Sequence, residues 1–336
     1  MTQRTGDRPL FGVVLVLVGV AFLSTMDAAM KVLLDGGLGG GLGGGLAVVQ
    51  ILAVRSWLVV PVLTAWALTN GGIARLKTKQ IKFHLARVVL GAGAPLFFFT
   101  SLKTLGLAEA TTIAFGAMFL MTALSTVVLK ERVGPHRWAG VALGFSGVVL
   151  AMQPTTQVFD VGALYALLAA VFYALFMLMT RKLGTGEGAL KQVLYFHAWL
   201  GLVCTVAMIF DNRPLQSQEG MLIALVGALV VVAHLCLTRG FTLAPVGLLA
   251  PFEYTALIWA AVLGYLVFGD VPGVELVAGA GIIVAAGLYL IYRETRGAKK
   301  RTALPTAGPV AVPGVASLEA NESLEANKSL EVNEKD

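Results

Sequence analysis

"GVVLVLVGVAFLSTMDAAMKVL" (residues 12–33) and "GALYALLAAVFYALFMLMTRKL" (residues 162–183) align without a gap at a shift of 150 residues. Gly12 then meets Gly162, Phe22 meets Phe172 and Lys31 meets Arg181. A second shift, of 139 residues, brings Glu131 onto Asp270 and Gly140 onto Gly279. Two matches in the same chain order predict an internal duplication. Each matched stretch is also one apolar run of about the 20 residues that a helix needs to cross a bilayer. The repeated unit is therefore built from membrane helices.

Working outward, ten such runs are expected: 11–34, 46–68, 83–102, 106–129, 136–152, 161–182, 190–210, 219–239, 243–268 and 273–292. Composition agrees, with 57% hydrophobic and 13% charged residues against about 25% charged in soluble domains; the mean hydropathy is +0.82. Alternating ten-residue segments of a membrane β-barrel are absent. The expected fold is an all-α integral membrane bundle of two five-helix repeats, 11–152 and 161–292. Because five is odd, the repeats enter the membrane in opposite orientations, the inverted design of secondary transporters. The first run, although preceded by Arg4 and Arg8, is too long for the apolar core of a signal peptide.

Orientation follows from the basic residues, which accumulate in cytoplasmic connections. With residues 1–10 inside, the inner segments hold Arg75, Lys77, Lys79, Lys82 and Arg87, then Lys130, Arg132 and Arg137, then Arg181, Lys182, Lys191 and Arg239. Outer segments carry little beyond Lys31, Lys103 and Arg213. Both termini are thus expected in the cytoplasm of a cell bounded by a plasma (bacterial inner) membrane. This topology accounts for the net charge of +6 without a nucleic-acid partner. Residues 297–336 change character: "SLEANESLEANKSLEVNE" repeats every six residues, matches no helical period and reads as a disordered cytoplasmic tail.

Cys204 and Cys236 fall inside spans, so no disulfide framework or metal cluster is expected. "GGLGGGLGGGL" (36–46) lacks the Lys-Ser/Thr pair of a phosphate loop. Hydrolase and metalloprotease motifs are missing too. The chain is expected to be no enzyme and to need no cofactor; its partners are a small solute and the lipid bilayer, with room for a homodimer.

Ionisable groups at membrane depth are costly and face a cavity or a partner. Asp27 and Lys31 lie one turn apart in span 1, and Arg55 in "QILAVRSW" (50–57) enters span 2 to a similar depth. These three form a paired cluster: either a structural ion pair with Lys31 reaching for the interface, or a contact for solute or proton. Glu253 follows Pro251 near the middle of span 9. There the proline frees a carbonyl, and a lone carboxyl suits proton coupling. It could equally serve as a hydrogen-bonded link between helices. Pro95 and Pro251 are expected kinks. Tyr254, Tyr173, Phe98, Trp259, Phe172 and Tyr165 are candidate pocket walls or packing residues, and His234 and His197 candidate proton relays or packing residues. Gly140, Gly144 and Gly147 read as close helix packing.

Four stretches, "SLKTLGLAEATTIAF" (101–115), "LKERVGPHRWAGVALGFSGVVL" (129–150), "LAPFEYTALIWAAVLGYLVFGDVPG" (249–273) and "GAGIIVAAGLYLIYRE" (279–294), resemble the ten-helix EamA type of the drug/metabolite transporter superfamily. The Gly-rich stretch 36–45 departs from that pattern as a longer outer loop. The resemblance implies a secondary transporter with helices 1, 3, 4, 6, 8 and 9 around a central cavity. It also implies a small polar or zwitterionic cargo: an amino-acid derivative, a vitamin such as riboflavin, or a nucleoside-type metabolite. Transport would run by alternating access, driven by protons or by exchange. A passive channel or a non-transporting scaffold stays open as the alternative.

Overall fold

The computed structural model describes residues 9–36, 45–69, 78, 81–130, 133–152, 161–183, 189–210, 213–243 and 246–298. Glu131, most of the Gly-rich stretch and the tail beyond residue 298 lie outside the described residues. Among those described, all regular structure is helical.

Spans 1 to 3 are α1 (Pro9–Leu34), α2 (Val48–Thr69) and α3 (Ile81–Ser101). Span 4 is broken into α4 (Leu107–Ala114) and α5 (Ala117–Val128), and span 5 is α6 (Pro135–Met152). Spans 6 to 8 are α7 (Val161–Leu183), α8 (Ala189–Met208) and α9 (Ser217–Leu243). Span 9 is again broken, into α10 (Val246–Glu253), α11 (Thr255–Leu263) and a π-helical turn (Gly264–Phe268); span 10 is α12 (Val274–Ala298). Pro9 and Pro135 open their helices, where a missing backbone donor costs nothing. Span 9 ends at Gly269, whose φ of 74° is left-handed, a conformation that glycine adopts without strain. Among the described residues, seven helical stretches have the length and hydropathy to cross a membrane, and shorter apolar cores, Val88–Ser101 and Val193–Met208, lie in spans 3 and 7. Span 5 is 18 residues long with a glycine-rich face.

Packing reveals the duplication. Span 1 lies mainly against span 8 and span 6 has an extensive seam with span 3, span 9 touches span 1 as span 4 touches span 6, and spans 2 and 7, 4 and 9, and 5 and 10 pair with one another. Exchanging each span with its counterpart in the other repeat leaves this pattern unchanged. The chain is thus two inverted five-helix repeats. The helix breaks obey the same relation. Span 4 breaks at Phe115–Gly116 and span 9 at Tyr254, three residues after Pro251. The 139-residue shift that aligns Gly140 with Gly279 also carries Phe115 onto Tyr254. Their rings stack, with centroids 5.5 Å apart and planes 29° from parallel, so the two break points meet at the interface of the repeats.

Backbone contact seals spans 5 and 10. A Cβ on Gly279 would lie 2.6 Å from the Gly147 carbonyl oxygen and 2.8 Å from the Ala151 nitrogen; one on Gly147 would lie 2.8 Å from the Gly279 oxygen. Gly140 and Gly144 likewise seat Leu290 and Phe119. Lipid supplies no hydrophobic drive to helix pairing, so this close approach is what holds the pair. Gly279→Val should therefore part spans 5 and 10 and cost about 1–3 kcal/mol, the usual range for overpacking. Thermal unfolding of the purified protein checks this. Gly281→Ala, where nothing lies within 4 Å of the new methyl, should leave the midpoint unchanged.

Candidate functional site

Six spans enclose a cavity of about 50 Å³ between the repeats. Its walls are Leu23 and Met26 of span 1, Arg55 of span 2, and Gly91, Ala94, Pro95 and Phe99 of span 3. The second repeat adds Tyr173 and Phe176 of span 6, Val193, Phe196 and His197 of span 7, and Val230 and His234 of span 8. The resemblance had implied spans 4 and 9; spans 2 and 7 stand there instead. Spans 4 and 9 turn their break points toward each other, and the Phe115–Tyr254 stack fills the space between them.

Arg55 is the cation of the cavity. It lies seven residues into α2, about 10 Å from the helix start, and is buried. Its Nη1 makes a weak hydrogen bond to Met26 Sδ at 3.9 Å, and its guanidinium sits 5.9 Å from the Phe99 ring centroid. Nε of Arg55 and Nδ1 of both His197 and His234 are buried and have no hydrogen-bond partner among the described residues. Asp27, also buried, lies within the electrostatic field of Arg55. No direct ion pair joins them among the described residues. Met26, one residue earlier, lines the cavity and takes the contact with Arg55.

Lys31 is placed elsewhere. Its buried ammonium donates to the carbonyl oxygens of Leu102 at 2.7 Å and Leu105 at 3.0 Å, just past the end of span 3. It also lies 3.7 Å from Asp35 Oδ2 and 5.2 Å from the Phe268 ring centroid. Charge-assisted bonds to carbonyls at a helix C-terminus are the favourable arrangement for a lysine. Burial raises the Asp35 carboxyl above its ordinary range, an effect that Lys31 opposes and nearby Asp270 reinforces. One ammonium thus ties span 1 to the end of span 3 and to span 9.

The other candidates divide. Tyr173, His234, His197 and Pro95 line the cavity, and Pro95 does so within an uninterrupted α3. Glu253 and Tyr254 are buried at the break of span 9, away from it. The Tyr254 hydroxyl donates to Met118 Sδ at 3.4 Å. A Cβ on Gly287 would collide with that hydroxyl, so glycine makes its room. Phe98 is buried against Phe99, 5.4 Å between centroids, and Trp259 is 39% exposed on the surface of the bundle. Phe172 and Tyr165 pack on Phe97. Sequence reasoning missed Met26, Phe99, Phe176 and Phe196, and the break at Phe115–Gly116. Gly91 was the available signal: its missing side chain lets Phe176 and Phe196 lean on span 3.

Replacing Lys31 with Met should free the segment it holds. Loss of two charge-assisted bonds, each worth about 1.5–3 kcal/mol, should speed hydrogen–deuterium exchange across residues 102–106 at least tenfold. Unchanged exchange would show that something else secures that segment.

Comparison with known proteins agrees with this architecture. The EamA-like transporter family model matches twice, over residues 10–153 and 160–293. An S-adenosylmethionine uptake transporter of Rickettsia prowazekii (strain Madrid E) is 29% identical over 227 residues, 66% of this chain and 75% of the relative. A riboflavin transporter of Vibrio cholerae serotype O1 (strain ATCC 39315 / El Tor Inaba N16961) is 26% identical over 230 residues, 67% and 76% of the two chains. A solved crystal structure with 20% sequence identity shares the fold at a TM-score of 0.57, covering 84% of this chain and 98% of its own. The chain belongs to the EamA-like transporter family, within the drug/metabolite transporter superfamily, and is an integral membrane transporter of small metabolites and not an enzyme.

Proposed function

We propose that the protein is a secondary active transporter that carries a small polar metabolite through the Arg55 cavity by alternating access. The single observation that carries this reading is the cavity itself. It is lined by spans of both repeats and holds polar groups that have no partner among the described residues. At about 50 Å³ it is far below the ~300 Å³ of small ligand pockets, so the walls must part for a solute to enter. A permanently open pore has no such closure, which disfavours the channel reading.

The basic-residue count assigns the Lys31 face to the exterior and both termini to the cytoplasm of the bacterial inner membrane. A homodimer is compatible with this reading. Nothing in the mechanism calls for nucleic acid. The names of the relatives make riboflavin and S-adenosylmethionine the first solutes to test. Glu253, buried at the break of span 9, is the proposed carrier of a coupling proton. Discontinuous helices are where transporters of this design place coupling ions.

Proteoliposomes decide the matter. Labelled solute should accumulate transiently against a preloaded unlabelled pool, the counterflow that distinguishes a carrier from a channel. Glu253→Gln should abolish flux driven by a pH gradient and keep solute exchange. Unchanged driven flux would remove Glu253 from coupling, and absence of counterflow for a range of metabolites would overturn the transporter reading.

A further inference from the structure

The cavity holds one strong donor group, the Arg55 guanidinium, and two imidazoles that can each donate through one nitrogen. A guanidinium offers five N–H donors, and among the described residues Arg55 is given one weak acceptor, the Met26 sulfur. Its buried Nε and the buried Nδ1 atoms of His197 and His234 are unpartnered among the described residues. The lining includes no carboxylate. Asp27 moderates the charge from a distance and supplies no contact. Buried polar groups in native proteins have partners, so this site is complete only when something brings acceptors to it.

Its walls set the chemistry that a solute meets once they part. Phe176 and Phe196 lie 5.5 Å apart at 49°, and Phe196 meets His197 edge-on at 75°. Tyr173 and Phe99 complete an aromatic surround. Such walls favour a flat ring by stacking. Aromatic surrounds also attract organic cations, but here the Phe99 face is already taken by Arg55, and a second cation would meet that guanidinium in a lining that includes no carboxylate.

We infer that the cavity selects planar aromatic solutes bearing a carboxylate or imide edge, held by Arg55, His197 and His234 between aromatic walls, and rejects cations of the same shape. The inference rests on the reading of this cavity as the solute site of a transporter. It goes further by fixing the charge and flatness of the cargo.

Three single-ring probes of nearly equal size test it: nicotinate, nicotinamide and 1-methylnicotinamide, which are anionic, neutral and cationic. With the full chain in lipid nanodiscs, nicotinate should bind at least tenfold more tightly than 1-methylnicotinamide, with nicotinamide between them. Arg55→Gln should bring the ratio close to one, and Arg55→Lys should retain part of it. Should Arg55→Gln fail to fold, His234→Gln is expected to weaken nicotinate severalfold and leave 1-methylnicotinamide unaffected. Equal or tighter binding of the cation overturns the inference. So does failure of all three to bind while counterflow of another metabolite persists, and that result leaves the transporter reading standing. Nicotinate binding without counterflow of any solute would do the reverse.

Discussion

A guanidinium buried about 10 Å inside a membrane helix is the constraint around which this molecule is arranged. Ionisable groups at that depth are tolerated where they face a cavity or a partner. Arg55 has the field of Asp27, a sulfur and an aromatic face, and its Nε has no partner among the described residues. The cavity is the consequence. Water or solute must complete the site, and the six spans around Arg55 are positioned so that each can do so.

Pseudo-symmetry explains how such a site can be served from two sides. The interfaces of the first repeat recur in the second with partners exchanged, so a movement that opens one face has a counterpart that opens the other. Phe115 and Tyr254 stack where spans 4 and 9 break, and the glycine seam of spans 5 and 10 holds the rear of the bundle. Lys31 joins span 1 to the end of span 3 and to span 9 through two carbonyls and a ring.

Much of this was legible in the sequence because membranes punish ambiguity. Continuous apolar runs, an odd number of spans per repeat and a duplicated glycine pattern dictate the topology. Arg55, His234, His197 and Tyr173 were visible as polar groups in apolar helices. Rotation about the helix axis was less legible. One residue turns the side chain by about 100° at 3.6 residues per turn, and this separates Met26, on the cavity, from Asp27, and Phe99 from Phe98. The break at Phe115–Gly116 has no proline to announce it, whereas Pro251 announced its counterpart. Glu253 and Tyr254 were visible as polar groups after Pro251, yet the break in span 9 turns Tyr254 toward span 4.

The central claim is that the Arg55 cavity is reached from one side of the membrane at a time. Labelling of a single cysteine by a membrane-impermeant maleimide tests it most directly. Ala94, buried in the cavity wall, would be changed to Cys in a chain whose Cys204 and Cys236 are replaced by alanine. The account predicts labelling from the face opposite Lys31, slowed when solute is bound, and none from the Lys31 face in the resting protein. Equal labelling from both faces at once, indifferent to solute, would contradict it.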